Sequence, residues 1–423
     1  MFKKYSTDSI NESYLHTVYN GLNIIIIPKK EFTSAHAIYA TKYGSINNKF
    51  RFKGQTYDVP DGIAHFLEHK MFEKPDGDAF AKYAKTGASA NAFTSFINTA
   101  YLFTCTDNFI PAFNILAEVV NEPYFTEESV KKEQGIIAEE IKMGLDNPGR
   151  KCFYNLLECL FVNHPVKKDI AGSIESIAQI TPELLYTCYD AFYNPANMVL
   201  CVCGNVDENK IIEVLSKRMR KTEPEKVERL YDQEPDEILE SKRVIHEEVS
   251  LPMFEFGIKD SFKGEGKELV VHRIIIDIIL EAIAGKSTKL YLDMYNEGLI
   301  DQSFSTETMI YESCGIFTFG GMSKDPNKVY ELIRKEIKKV KNNGIDEKIF
   351  KCLKNKNYGY LLDTFNNTDD LAGAYCSAFF DNTTPLDSIE IYKNLKLEDV
   401  NSSLKYFDLD KMASSIVLPK VGR

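Results

Sequence analysis

The sequence predicts an α+β protein of two homologous domains, each an antiparallel sheet covered by helices. Three observations lead there. Strand-like and helix-like patterns are interleaved along the chain, and their order repeats once at a spacing of about 210–220 residues. A run of mostly charged residues with two prolines, 217–247, lies between the copies and reads as a solvated linker. The expected domains are therefore 1–216 and 248–423. At 423 residues the chain also exceeds what one ordinary core accommodates.

The first copy opens as strand, turn, strand. His16-Thr17-Val18-Tyr19 precedes the turn pair Asn20-Gly21, the isoleucine run 24–27 follows, and Ala35 to Ala40 form the next strand. Helical periodicity starts after Pro60-Asp61-Gly62 and again at Asp78 to Ala84. Ala90 to Ser95 and Thr99 to Thr104 are strand-like, and Phe109 to Val120 is an amphipathic helix. Thr126 is a helix N-cap candidate, with helix running on to Met143, and Met198 to Cys203 is a buried strand. In the second copy Met294 to Leu299 ends a helix and Gly315 to Phe319 is a strand. Pro326 to Asn343 is the long helix, and Ile345 to Lys351 opens the last one.

Composition is that of a soluble globular protein, 44% apolar and 27% charged. The net charge of −11 argues against nucleic acid as a partner. No apolar run is long enough for a signal peptide or a membrane span, so neither membrane insertion nor export is expected. Nine scattered cysteines without a C-x-x-C pair read as reduced buried thiols in a cytoplasmic protein rather than as a disulfide framework.

The chemistry concentrates in His65-Phe66-Leu67-Glu68-His69. A helix of 3.6 residues per turn puts His65 and His69 on one face, where two imidazoles can share one divalent ion at about 2.0–2.1 Å. Glu68 flanks that face, where a carboxylate can take a proton from water activated by the metal. A surface helix with two histidines is common, so the string by itself does not define a site. A catalytic zinc needs three protein ligands and one open position. The helix after Thr126 offers Glu133 and Glu140, two turns apart on one face, with Ile136 and Ile137 between them. Carboxylates bordering an apolar inward face are costly unless paired or metal-bound, although an exposed acidic helix is the plainer alternative.

Gly62 to His69, the paired glutamates Glu133 and Glu140, and Ser89-Ala90-Asn91-Ala92-Phe93-Thr94-Ser95 together resemble the pitrilysin/insulinase family of inverted-motif zinc peptidases, which includes the mitochondrial processing peptidase. The resemblance covers most of residues 16–418. It implies a half-clamshell of two domains with Zn2+ held by His65, His69 and Glu140, Glu68 as general base and Glu133 supporting the site. Asn91, Ala92 and Phe93 would form the strand edge to which a peptide substrate adds. It further implies a homodimer or a heterodimer with a related subunit. The second half lacks the histidines: Ile274 to Leu280 stand at the motif's counterpart and Tyr360 near that of Glu140. Tyr295 and Asp301 occupy positions where family members carry arginine and tyrosine. A non-catalytic peptide-binding subunit is the competing expectation.

Overall fold

The computed structural model describes residues 1–220, 222 and 225–420. The chain forms two compact units, one of Met1–Ile141, Asp169–Tyr231 and Leu361–Leu386, the other of Lys142–Lys168, Asp232–Tyr360 and Asp387–Arg423.

The first unit is built on a seven-stranded sheet. Its strands are β1 (Lys3–Ser6), β2 (Ser13–Tyr19), β3 (Leu22–Pro28), β4 (Ala35–Thr41), β5 (Ser89–Thr94), β6 (Thr99–Cys105) and β7 (Met198–Gly204), in the spatial order β1-β2-β3-β7-β4-β6-β5. The β2–β3 turn is Asn20-Gly21, both residues at positive φ (48° and 85°), as a two-residue hairpin turn requires. Alternation in the strands sends Ile24, Ile26, Tyr39, Tyr101 and Phe103 into a core with helix residues Phe66, Leu67, Phe113, Leu116 and Ile137.

The second unit holds β8 (Lys242–Glu247), β9 (Met253–Lys259), β10 (Ser305–Ile310), β11 (Gly315–Met322) and β12 (Met412–Pro419), ordered β8-β12-β9-β11-β10. That order reproduces β3-β7-β4-β6-β5, strand for strand, about 214–220 residues later. The sheets differ from the expected form in one respect. Each contains one parallel pair, β3 with β7 and β8 with β12, among otherwise antiparallel neighbours. The paired strands are separated by most of a domain, so the chain can return in either direction.

The units also exchange a helix relative to a division in chain order. Pro148–Leu160 follows the first copy's helices yet packs on β9 and β12 of the second unit, where Gly257 lets Leu156 and Leu160 lie against the strand. Thr368–Phe380, its counterpart, packs on β4 and β7 of the first unit. There Asp369 meets His36 and Thr104. Both are apolar on one side, and each covers a sheet face that would otherwise lie bare.

The charged stretch 217–247 is partly structured. It ends the helix Glu208–Arg218, supplies Glu228–Arg229 to a small sheet beside Lys49–Phe52, and includes β8 itself. Lys221, Glu223 and Pro224 of that expected linker, and residues 421–423, lie outside the described residues. No described helix is long and apolar enough to cross a membrane. All nine cysteines are free thiols and eight of them are buried.

Candidate active site

The helix Ile63–Lys70 carries the His-x-x-Glu-His string. Ile63, Phe66, Leu67 and the following Met71 are sunk in the core, which fixes the rotation of the helix and hence the direction of His65 and His69. Its entry is equally constrained. Gly62, at φ 88°, lies so close to residues 171–172 that a Cβ would stand 2.3 Å from the Ala171 carbonyl oxygen, and one at Gly172 would stand 2.4 Å from that of Asp61. Ser176 Oγ donates to the same Asp61 carbonyl at 2.8 Å. Two loops over a hundred residues apart thus clamp the start of this helix.

The helix Glu127–Leu145 brings its carboxylates to the imidazoles. His65 Nε2 lies 3.5 Å from Glu140 Oε1, and His69 Nε2 lies 3.6 Å from Glu140 Oε2. The imidazole rings are 4.5 Å apart between centroids. His69 presents its other nitrogen, Nδ1, to Glu133 Oε1 at 3.1 Å. With Glu133 ionised, that bond favours Nδ1 as the protonated nitrogen of the neutral ring, whose Nε2 lone pair then lies on the side of Glu140.

Donor atoms of His65, His69 and Glu140 all fall within 4.8 Å of one another. Ligands around a tetrahedral ion with bonds of about 2.0–2.1 Å stand roughly 3.3 Å apart. The 3.5 and 3.6 Å separations are therefore those of a set able to close on zinc with little movement. Two imidazoles and one carboxylate match zinc's ligand preference and leave a fourth position open.

Glu68 lies beside this set, only 8% exposed, and its Oε2 accepts a hydrogen bond of 3.1 Å from Thr94 Oγ1 on β5. Burial raises its pKa, and Glu140 adds to the rise, while His69 and the Thr94 bond oppose it. For Glu133 burial pulls the pKa up, but the His69 bond and charge, with Lys70 behind, outweigh it and hold the carboxyl below its usual range. Burial also works against protonated His69. Glu133, Glu68 and Glu140 overcome it, and the His69 pKa is raised.

β5 ends the sheet and bonds only to β6 among the described residues. Ala90, Ala92 and Thr94 face the core, whereas Asn91 and Phe93 are exposed. The Ala92 amide donates to the Asn91 side-chain oxygen at 2.9 Å. Thr94 is the site residue that motif reading passed over. The alternation Ala90, Ala92, Thr94 was its only signal, a hydroxyl at an inward strand position.

Tyr295 and Asp301 belong to the second unit. Tyr295 is exposed at the end of Lys289–Asn296 and stacks on Tyr291, and Asp301 accepts bonds from the amide and hydroxyl of Ser303. Ile274–Leu280 lie in the helix Gly266–Ala284, and Tyr360 lies in Glu347–Asp363.

A histidine pair one helical turn apart, a facing carboxylate and a buried glutamate alongside form a donor set of the kind that metal-dependent hydrolases use. Residues 53–173, which contain these four side chains and Glu133, match the family model for insulinase (peptidase family M16), and residues 179–357 match that for the peptidase M16 inactive domain. The chain is 37% identical to the uncharacterized zinc protease YmfH of Bacillus subtilis (strain 168), over 99% of this chain and all of that one. An M16-like peptidase from Alicyclobacillus acidocaldarius superposes with a TM-score of 0.94 at 35% identity, covering 97% of this chain and 99% of the other. Pitrilysin shares the fold at a TM-score of 0.73 and 14% identity, this chain covering 46% of its length. The protein belongs to the pitrilysin/insulinase family, M16, whose relatives here are named zinc proteases.

Proposed function

We propose that this chain is a zinc-dependent endopeptidase that cleaves peptides or unfolded segments. His65, His69 and Glu140 hold the metal, Glu68 is the general base, and Glu133 orients His69. The observation that carries this reading is the convergence of three donor atoms within 4.8 Å beside a buried, hydrogen-bonded carboxylate. When bound, zinc polarises the scissile carbonyl and acidifies the attacking water. The Glu68 carboxylate accepts the proton of that water and delivers it to the leaving amine. Thr94 keeps one carboxylate oxygen engaged, so that the other is the one free to point at the water. Glu133, through His69 Nδ1, holds the imidazole in the tautomer that can ligate.

The open edge of β5 suits an extended peptide, whose main chain adds as a further strand, with the Asn91 side chain turning aside to release the Ala92 amide. Phe93, exposed on that strand, would contact a substrate side chain. The working enzyme would be a dimer, of this chain with itself or with a related subunit, and its substrate a peptide in the cytoplasm.

A second reading, a peptide-binding subunit without turnover, draws on Tyr295 and Asp301 standing where the family pattern has arginine and tyrosine. One experiment separates the two. Purified protein is assayed on quenched peptide libraries with and without chelator, alongside Glu68→Gln, and zinc content is measured in each. Chelator-sensitive cleavage that Glu68→Gln removes while keeping its zinc supports the peptidase. Peptide binding with neither zinc nor cleavage in the wild type supports the other reading.

A further inference from the structure

The two sheets share one strand order but are covered differently at one end. In the first unit β3 is flanked by β2, and Ile24 and Ile26, opposite Leu200 and Val202 of β7, are buried. The helix after β7, Glu208–Arg218, packs on Phe109–Asn121 and buries Ile211, Val214 and Leu215. In the second unit β8 ends the sheet, and no helix follows β12 among the described residues. Lys242 and Val244, opposite Ser414 and Ile416 of β12, are exposed. A cleft of about 280 Å³ lies between this end of the sheet and the helix Pro326–Asn343, the counterpart of Phe109–Asn121.

The floor of the cleft is Ser414 and Ile416. Its wall is one face of the helix, with Asn327, Tyr330 and Glu331 at spacings of three and four residues. The ends carry opposite charge. Lys242 Nζ donates to Asn327 Oδ1 at 2.8 Å, which holds the ammonium at one end with two hydrogens to spare. The Asn327 amide keeps both of its own hydrogens for a further acceptor. Glu331 stands one helical turn beyond Asn327, and among the described residues no ion pair joins it to Lys242. The Tyr330 ring is braced edge-on against Phe256, with 5.0 Å between centroids, and adds an apolar surface beside Ile416.

We propose that this cleft binds a free α-amino acid with an apolar side chain. The ligand carboxylate accepts from Lys242 and the Asn327 amide, its ammonium donates to Glu331, and its side chain lies over Tyr330 and Ile416. The charges select the class. A plain anion would be repelled by Glu331 and a plain cation by Lys242, whereas a zwitterion satisfies both ends. Size agrees: at about 30 Å³ for each water-sized atom, the cleft holds roughly nine non-hydrogen atoms, as many as leucine has. The site lies wholly in the second unit and needs neither zinc nor turnover.

Ligand-observed NMR titration of the full chain with L-leucine tests this, with N-acetyl-L-leucine and L-leucinamide as probes that each lack one charge. L-Leucine is expected to bind at about 0.1–1 mM, and each analogue at least about tenfold more weakly. Glu331→Gln should weaken leucine about tenfold and leave N-acetyl-leucine unchanged, since that probe has no ammonium to lose a partner. Lys242→Met should weaken leucine similarly and leave leucinamide unchanged. Both side chains are exposed, so neither variant should move the unfolding temperature. No binding of L-leucine at about 10 mM overturns the proposal. So does an analogue that binds as tightly as leucine, or a variant that weakens all three probes equally.

Discussion

The two units solve one structural problem in two ways. In each, a helix lying beside the sheet's terminal strand carries a carboxylate that accepts a bond from a threonine of that strand. The pairs are Glu68 with Thr94 at 3.1 Å and Asp277 with Thr308 at 2.7 Å. In each, a second helix approaches the first. In the second unit Lys356 of Glu347–Asp363 bridges to Glu281 of Gly266–Ala284 at 2.5 Å, a protein ammonium meeting a protein carboxylate. In the first unit the matching approach brings carboxylates of Glu127–Leu145 to two imidazoles, and the site has a place for a cation from outside. The carboxylate–threonine bond therefore belongs to the scaffold. What sets the first unit apart is the group of donors facing that bond.

Breaking both carboxylates in parallel tests that distinction most strongly. Glu68→Gln should lower peptidase turnover about a thousandfold while zinc content is unchanged. Asp277→Asn, which keeps a partner for Thr308, should leave turnover within about twofold. Equal losses in kcat from both variants would mean that the second unit takes part in the chemistry.

Glu133→Gln removes charge from behind His69 but keeps a hydrogen-bond partner. Zinc affinity measured by competition with a chromophoric chelator should fall about 10–100-fold, less than the near-complete loss expected for Glu140→Gln. Gly62→Ala forces a Cβ onto the Ala171 carbonyl at a positive φ and should cost more than about 2 kcal/mol, read by denaturant unfolding, with zinc content falling alongside.

The smallest effect concerns the second unit alone. The Glu255 pKa is pushed up to about 7, first by burial and then by Glu307. A carboxyl raised in the folded state contributes stability that is fully present below its unfolded pKa of 4.5 and lost as pH rises through about 7. Glu255→Gln should therefore exceed the wild type in unfolding free energy by about 2 kcal/mol at pH 8, and the advantage should vanish near pH 4. A constant difference across that range would show that the gain comes from packing.

Much of the site was legible because its parts are local. Four-residue spacing on a helix puts His65 and His69 together wherever that helix goes, and seven-residue spacing does the same for Glu133 and Glu140. The repeat was legible as well, since strand and helix periods survive duplication when residue identity does not. Thr94 was not, because a strand threonine carries no mark of a partner 26 residues away, and neither were Gly172 and the exchanged helices.

The sequence by itself determined the elements, their order, the faces of the helices and the donor types that suit zinc. Only the tertiary structure decided that Glu140 faces both Nε2 atoms while Glu133 faces Nδ1, that Thr94 holds Glu68, and that each sheet contains a parallel pair. It also decided that β8 has an open edge where β3 does not. The physical reason is range. Backbone period and side-chain direction are set within a few residues, whereas these pairings depend on segments joined only by the packing of a core.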